Sequence, residues 1–356
     1  MKSTFKFLAL LLAVSHFSFG QDVTKKIDSI VKGYHLNNPK VGISIGFIQN
    51  NNEYYTAYGN LSRESNTNIN KNSVFEIASI TKIITSNLIA QAVNEQKINT
   101  DDYIDNYLPK QYVLDKNIKQ KIKISDLASH QSGLPDIDFR ELIIANPQQP
   151  VKDVTRKTLS NMINNCSELV DYGQYRYSTV GYTLLGQILE TLYNKSYDDI
   201  LREKLITPLQ MTNTLTTDSD VDNKTIGYNT EGGSQEFFNW SVVAPAGLVK
   251  SNASDMVLYL KALLNKENGI AKAAMLTEKV YYKSEKGEIG LGINILKDGS
   301  NTLYLKSGDS MGQSSMLCYN RDQNWGIIIL LNQRNSKLRG QLLNDIYENI
   351  LKKKVE

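Results

Sequence analysis

The stretch FEIASITK, from Phe75 to Lys82, places Ser79 three residues before Lys82, where an apolar run turns into a helical pattern. Apolar side chains then recur at helical spacing to about Gln96, which predicts a helix with one buried face. A serine in the first turn lies near unpaired N–H groups and the positive end of the helix dipole, and a lysine three residues on shares its face. Ser79 and Lys82 are therefore either a nucleophile and its base, or an N-cap and a solvated side chain.

The Ser-x-x-Lys pair is weak by itself, because it occurs at Ser3 to Lys6, at Ser29 to Lys32 and at Ser79 to Lys82. Short motifs of this kind match by chance, so the rest of the chain must distinguish the three.

The few histidines limit the other nucleophilic mechanisms. Of the three, His16 lies in the first twenty residues, so a Ser-His-Asp triad would have to use His35 or His130. Two Gly-x-Ser-x-Gly sequences surround Ser44 and Ser310, but Ser44 lies in a strand-like alternation and no histidine follows Ser310. No metal-binding or phosphate-binding motif is present, so no metal or cofactor is predicted. A serine hydrolase with this sequence would use a lysine or a tyrosine as its base.

Both ends of the chain favour strands, and the middle favours helices. Strand-like runs lie at 41–49 and 53–60, which form a predicted hairpin, and at 287–296, 301–308, 314–320 and 324–332. Helical patterns lie at 22–35, 125–130, about 153–165, about 179–205 and 253–265, with a last helix to about 351. We therefore predict an antiparallel sheet formed from both chain ends and flanked by helices, with an inserted, mainly helical lobe. A cleft between the lobes is the natural place for a site.

The first twenty residues have the layout of a secretory signal peptide. Lys2 and Lys6 precede an apolar run from Phe7 to Val14, and small residues stand before Gly20. We predict cleavage after Gly20 and an exported protein, either periplasmic or secreted. The apolar run is shorter than the ~20 residues that span a bilayer, so no stable membrane span is expected after cleavage.

Composition excludes some partners. Hydrophobic residues make up 41% and charged residues 22% of the 356 residues, as in globular proteins. Loss of Lys2 and Lys6 lowers the formal net charge from +3 to +1, so nucleic acid is not an expected partner.

The two cysteines, Cys166 and Cys318, permit one disulfide, but Cys318 lies in an apolar run that favours a buried free thiol.

Two further segments give Ser79 its context. Tyr177-Ser178-Thr179 stands directly before a strong helical pattern, and Lys306-Ser307-Gly308 ends a strand-like run. Penicillin-recognising serine acyl enzymes have a three-part signature: Ser-x-x-Lys, then a triplet that begins with tyrosine or serine, and then Lys-Ser/Thr-Gly on a strand. The order and the placement of the three segments agree with that signature.

The chain resembles the serine β-lactamase-related, penicillin-binding family, in particular the class C β-lactamase and low-molecular-mass D-Ala-D-Ala carboxypeptidase group. Three further segments are similar to family sequences: HQSGLP from His130, PLQMTNT from Pro208 and PAGLVKSNASDM from Pro245. The resemblance covers nearly everything after the signal peptide. It implies an α+β, β-lactamase/transpeptidase-like fold and one catalytic domain, 21–356. The sheet lobe would comprise about 21–75 plus 285–356, and the helical lobe about 76–284.

The resemblance also implies a role for each matching residue. Ser79 would be acylated, and Tyr177, whose phenol the lysines would acidify, would exchange protons with Lys82. Backbone N–H groups of Ser79 and Asp309 would form the oxyanion hole. The expected catalytic residues are Ser79, Lys82 and Tyr177, and the expected substrate-binding residues are Thr179, Lys306, Ser307, Gly308 and Asp309. Lys306 and Ser307 would hold a substrate carboxylate.

One position departs from the family pattern, and a second bears on anion binding. Thr179 stands where the family usually has asparagine, and its single hydroxyl replaces an amide that both donates and accepts. Asp309 places a carboxylate beside Lys306, which would weaken anion binding unless it points away.

Four activities remain open. The expected function is a peptidoglycan D-Ala-D-Ala carboxypeptidase or endopeptidase that acts on peptidoglycan peptides or small-molecule substrates. The alternatives are a class C-like β-lactamase, an esterase for small acyl esters, and a weakly catalytic penicillin-binding sensor.

Overall fold

The computed structural model of the chain describes residues 22–216, 221–285 and 287–352. The predicted signal peptide, residues 1–20, lies outside these ranges. Within them, no helix combines the length and the apolar composition needed to cross a membrane.

The described residues form ten α-helices and twelve strands. The helices are α1 (22–37), α2 (Thr81–Asn94), α3 (Ile124–Ala128), α4 (Phe139–Ala145), α5 (Arg156–Asn164), α6 (Thr179–Tyr193), α7 (Tyr197–Leu201), α8 (Ala253–Leu264), α9 (Gly269–Thr277) and α10 (Ser336–Ile346). The strands are β1 (Ile43–Gln49), β2 (Asn52–Tyr58), β3 (Phe75–Glu76), β4 (Gly227–Tyr228), β5 (Ser234–Gln235), β6 (Lys250–Ser251), β7 (Tyr282–Ser284), β8 (Gly287–Ile289), β9 (Asn294–Asp298), β10 (Asn301–Asp309), β11 (Ser314–Asn320) and β12 (Trp325–Leu331).

Eight strands form one antiparallel sheet in the order β2-β1-β12-β11-β10-β9-β8-β7. The two ends of the chain meet where β1 pairs with β12, from Ile43 opposite Leu331 to Gln49 opposite Trp325. The predicted α+β fold, with an antiparallel sheet built from both chain ends, is therefore confirmed. The lobe boundaries near 75 and 285 stay a prediction.

The central strands are apolar on both faces because helices cover both sides. On one side, α1 and α10 contribute Ile27, Val31 and Leu342 to a cluster with Ile45 and Ile327. On the other, side chains of α2 and α8 pack with Ile328 and Leu330 in the larger core. Buried strands of this kind lose the polar alternation of a half-exposed sheet.

Helix α2 differs from its prediction. It starts as a 3₁₀ turn, Ala78–Ile80, and continues to Asn94 with eleven of its fourteen residues buried. The expectation of one buried face was wrong, because helices and sheet surround α2. Even Lys82 is buried.

One further helical prediction was wrong, and some helices were not predicted at all. The pattern at 179–205 is interrupted because Asn194 adopts a left-handed φ of 50°, which ends α6 before α7 begins. Helices α4 and α9 were not predicted, and none of the residues of α4 is buried. Cys166 and Cys318 are free thiols, and Cys318 is buried in β11.

Candidate active site

Ser79 lies at a strained turn between β3 and α2. Ala78 has a φ of 44°, a left-handed value that is costly for a residue with a side chain. From Ser73 to Ala90, Ser79 alone is not buried. The turn therefore presents one hydroxyl from an otherwise enclosed segment.

Strand β10 packs directly against this turn. A Cβ on Gly308 would lie 2.2 Å from the Ile77 carbonyl oxygen and 3.0 Å from the Ser79 nitrogen. The Ser315 hydroxyl donates to the same Ile77 oxygen at 2.8 Å. Glycine at 308 thus lets the strand approach the backbone that carries Ser79.

Lys82 lies beneath Ser79, with an exposed fraction of 1%. Its Nζ donates to the Ala246 carbonyl oxygen at 2.9 Å and lies 3.4 Å from the Ser79 Oγ. Burial lowers the pKa of Lys82 from 10.5 to about 7, while the charge of Asp136 opposes that shift. Near neutral pH, the Lys82 amine is therefore neutral in a substantial fraction of the molecules, and in these it can accept a proton.

Tyr177 reaches Ser79 from the opposite side of the cleft. Its hydroxyl donates to the Ser79 Oγ at 2.7 Å, and 43% of the side chain is exposed. The Nζ atoms of Lys82 and Lys306 lie 4.8 and 5.1 Å from the centroid of its ring. Tyr177 thus contacts the candidate nucleophile, Ser79, and has the amines of Lys82 and Lys306 near its ring.

Lys306 is buried in β10, with 6% exposed. Burial lowers its pKa to about 8; Tyr177 opposes this shift, and the charge of Lys82 adds to it. Both amines of the cleft therefore lose their protons at a lower pH than a solvated lysine does.

Asp309 points away from Lys306. Its Oδ1 accepts from Arg339 Nη1 at 2.6 Å and from the Ser314 hydroxyl at 2.5 Å. Arg339 also donates to the Gly308 carbonyl oxygen at 3.1 Å. The carboxylate is therefore compensated by Arg339, and the expected conflict with anion binding at Lys306 does not arise.

Thr179 is the first residue of α6 and is mostly buried. Its backbone N–H donates to Asp136 Oδ2 at 2.7 Å, and that of Val180 donates to Asp136 Oδ1 at 3.0 Å. The Ser178 hydroxyl accepts the Gly181 N–H at 2.9 Å, as an N-cap does. The first turn of α6 is thus held firmly beside Tyr177.

A cavity of about 690 Å³ opens over these groups. Its polar lining includes Ser79, Lys82, Tyr177, Thr179, Asp309 and Arg334, and its apolar lining includes Ile137, Phe139, Ile143, Phe238, Trp240 and Met311. Lys306, Ser307 and Gly308 lie beside the cavity in β10, where Ser307 is half-buried. The structure therefore brings the predicted catalytic residues together in one cleft, with the predicted substrate-binding residues around them.

The rival serines have other environments. Ser44 is fully buried inside β1, and its Oγ has no hydrogen-bond partner among the described residues. Ser310 lines the same cavity as Ser79, but its Oγ accepts the Gln313 N–H at 3.2 Å. His35 stacks on Tyr58 with ring centroids 5.7 Å apart.

Sequence reasoning missed His130 and Asp136 as parts of this site. The buried His130 ring lies 4.5 Å from the Tyr177 ring, and its Nδ1 accepts the Ser178 N–H at 3.1 Å. Burial, together with the charges of Lys306 and Lys82, holds its pKa well below 6.5, so the ring is neutral. The HQSGLP similarity drew attention to this segment but assigned it no role.

The family model described as Beta-lactamase matches residues 27–350. The chain belongs to the beta-lactamase family. Its assignment as a hydrolase of the serine beta-lactamase and penicillin-binding family follows from that match. Among the curated relatives, "Protein flp" of Staphylococcus aureus (strain MW2) is 23% identical over 343 residues, covering 94% of this chain and 68% of that protein.

Solved structures share the fold of this beta-lactamase-family chain. "A class C beta-lactamase" superposes with a TM-score of 0.82 at 18% identity, covering 94% of this chain and 98% of that one. The "Beta-Lactamase/D-Alanine Carboxypeptidase from Pseudomonas syringae" gives a TM-score of 0.80 at 18% identity, covering 93% and 100%.

Proposed function

We propose that the protein is an exported serine hydrolase that works through a Ser79 acyl-enzyme, as a penicillin-binding D-Ala-D-Ala carboxypeptidase or endopeptidase. The observation that carries the proposal is the contact of the Ser79 Oγ with both the Tyr177 hydroxyl, at 2.7 Å, and Lys82 Nζ, at 3.4 Å. A nucleophile beside a base with a lowered pKa is the arrangement that covalent catalysis requires.

Acylation then follows from the positions of these groups. The Ser79 oxygen attacks the carbonyl carbon of the D-Ala-D-Ala amide, and the Tyr177 oxygen takes the Ser79 proton as the phenol gives its own proton to the neutral Lys82 Nζ. Backbone N–H groups of Ser79 and Asp309 stabilise the oxyanion. The C–N bond breaks as the Ser79 proton reaches the leaving D-Ala amine. Water subsequently hydrolyses the ester and restores the Ser79 hydroxyl.

The charge of the site supports a substrate with a carboxylate. Lys306 lies 5.1 Å from the Tyr177 ring centroid, Arg334 lines the cavity, and Arg339 compensates Asp309. A peptide that ends in D-Ala, or a β-lactam, supplies the matching anion. A neutral ester does not.

Two alternatives keep specific support. A β-lactamase would use the same acylation with faster hydrolysis, and the chain shares its fold with class C enzymes. A small-acyl esterase would suit the apolar wall formed by Phe139, Phe238 and Trp240, and the replacement of an amide by the Thr179 hydroxyl.

One experiment separates the three. The purified protein and a Ser79→Ala variant are each incubated with a fluorescent penicillin, a chromogenic cephalosporin, a peptide ending in D-Ala-D-Ala and a nitrophenyl ester, and the adduct is followed by intact mass. The proposal predicts a long-lived penicilloyl adduct and release of D-Ala, both lost in Ser79→Ala. Rapid cephalosporin turnover would indicate the β-lactamase. Ester cleavage without any adduct or D-Ala release would indicate the esterase.

A further inference from the structure

The loop that carries Tyr177 is held by its backbone. The Arg176 N–H donates to the His130 carbonyl oxygen at 2.7 Å, and the Ser178 N–H donates to His130 Nδ1 at 3.1 Å. Both neighbours of Tyr177 are thus bound to the same residue. Because the hydroxyl of Tyr177 lies at the end of a half-exposed side chain, its position depends on these backbone contacts.

Asp136 extends this restraint into α6. Each of its carboxylate oxygens accepts one backbone N–H, from Val180 to Oδ1 at 3.0 Å and from Thr179 to Oδ2 at 2.7 Å. These are orphan donors of the first helical turn, where a carboxylate is also favoured by the helix dipole. The hydrogen bonds fix the helix start two residues after Tyr177.

The same carboxylate acts on Lys82. Asp136 lines the cavity with Lys82 and is the neighbouring negative charge that favours its protonated form. The other groups around the amine do not supply that charge. The ring centroids of Tyr177 and of Tyr182 in α6 lie 4.8 and 5.5 Å from Nζ, and the Tyr177 hydroxyl donates its proton to Ser79. Lys306 is a second amine, and His130 is neutral. Asp136 therefore acts on both partners of Ser79 without touching either side chain: on Tyr177 through hydrogen bonds to the backbone two and three residues later, and on Lys82 through its charge.

We propose that Asp136 is a positioning residue of the acylation reaction: its carboxylate fixes the loop that carries Tyr177 and balances the charge of Lys82. This inference rests on the proposed Ser79 acyl-enzyme. If the role of Asp136 were purely structural, its carboxylate would fix the start of α6 but would leave the protonation of Lys82 unchanged. The pH dependence of acylation therefore distinguishes a structural role from the proposed one.

Asp138 is a matched control from the same loop. It also lines the cavity, but its Oδ1 accepts the N–H groups of Arg140 and Glu141, at 2.8 and 3.3 Å, as the N-cap of α4. Asp138→Asn removes the same unit of charge from the loop without changing a contact to α6. Comparison with Asp136→Asn then isolates the position of the charge.

The test measures the rate of Ser79 acylation by a fluorescent penicillin in wild type, Asp136→Asn and Asp138→Asn, from about pH 5 to pH 9. Asp136→Asn should lower the maximum rate about tenfold and move the acid limb to lower pH by about one unit, since loss of a nearby opposite charge favours neutral Lys82. In Asp138→Asn the limb should stay at the wild-type pH. An unmoved limb in Asp136→Asn would overturn the proposal.

A second pair of variants tests the hydrogen bond even where Asp136→Asn fails to fold. Thr179→Pro removes the N–H that reaches Oδ2, and proline is compatible with the first helical position after the extended Ser178 (φ −132°, ψ 130°). Thr179→Ala loses the same hydroxyl but keeps the N–H. Acylation several-fold slower in Thr179→Pro than in Thr179→Ala supports the positioning role, and equal rates would contradict it.

Wild type separates this inference from the proposed function. If wild type forms no adduct on Ser79 and shows no turnover that is lost in Ser79→Ala, the acyl-enzyme and the role of Asp136 both fail. If wild type is acylated and the variants behave like their controls, the role of Asp136 alone fails.

Discussion

The two sides of the cleft are held in place by different forces. The Ser79 side is enclosed by packing, because its flanking residues from Ser73 to Ala90 are buried and Gly308 lies against the turn. The Tyr177 side is a loop with a half-exposed aromatic ring, held by backbone hydrogen bonds to His130 and Asp136. We therefore expect acylation to be sensitive to substitutions that change side-chain volume on the Ser79 side. On the Tyr177 side, it should be sensitive to substitutions that remove a charge or a hydrogen-bond acceptor.

Lys82→Met should have the largest effect, because the amine contacts the Ser79 Oγ and also lies 4.8 Å from the centroid of the Tyr177 ring. The change keeps an apolar chain of similar length and removes the amine, so the rate of acylation should fall by about 10²–10⁴-fold, the range of a lost general base. Lys71→Met, which removes an exposed lysine, is the control and should leave the rate near wild type.

The stability of Lys82→Met gives a second readout. The pKa of Lys82 is about 7 in the folded protein and 10.5 in its usual range, so the unfolded chain binds more protons between these values. The free energy of unfolding of wild type should therefore rise with pH across that window, and the rise should be smaller in Lys82→Met. Denaturant unfolding at several pH values measures it, and identical slopes would contradict a buried amine with a lowered pKa.

Gly308→Ala tests the packing of the Ser79 side. The new methyl group would meet the Ile77 oxygen at 2.2 Å, so backbone must move, at a cost of about 1–3 kcal/mol in the free energy of unfolding. A displacement of Ser79 by ~1 Å should slow acylation up to about 10²-fold. Gly340→Ala in α10, where the Cβ meets no atom within 4 Å, should leave the rate unchanged and stabilise the helix.

The pH dependence separates Lys82 from Lys306. Acylation by any substrate should rise through a pH of about 7, as Lys82 loses its proton. For an anionic penicillin it should fall again above about 8, as Lys306 loses the charge that holds the carboxylate. A neutral nitrophenyl ester should lack this second limb. The same basic limb with both substrates would argue against carboxylate recognition by Lys306.

His130 should give the smallest effect and tests the Tyr177 side. His130→Asn keeps an acceptor for the Ser178 N–H, whereas His130→Leu removes it. Loss of one buried hydrogen bond is worth about 1 kcal/mol, and leucine is also disfavoured at the left-handed φ of 64° of His130, so acylation should be at least about fivefold slower in the leucine variant than in the asparagine variant. Equal rates in the two variants would show that the ring acts by packing alone.

The fold could be predicted where local pattern and tertiary environment agree. Strands β10 to β12 and the hairpin of β1 and β2 are apolar and bounded by turn residues, so their positions were close to those observed. Helix α4 was missed although Phe139, Leu142 and Ile143 recur at helical spacing, because its run of seven residues is too short to distinguish from a strand by periodicity. The end of α6 lies at the left-handed Asn194, and the polar Lys195 and the N-cap Ser196 follow it; this stop was missed because apolar residues resume at helical spacing from Tyr197.

The site was predictable as far as side chains act directly. Ser79, Lys82 and Tyr177 form a recognisable order of residue types, and the structure brings them into contact. Asp136 was missed because its partners are backbone N–H groups, which carry no residue signature. The burial that lowers the pKa of Lys82 was missed for a similar reason: it comes from elements that surround α2, not from FEIASITK.

The most direct test maps the penicilloyl group by tandem mass spectrometry after digestion of the acylated protein. We predict that the added mass lies on Ser79, that it is absent in Ser79→Ala, and that it persists in Ser310→Ala, which changes another serine of the same cavity. An adduct on Ser310 or any other residue, or one that survives in Ser79→Ala, would contradict the assignment of Ser79 as the nucleophile.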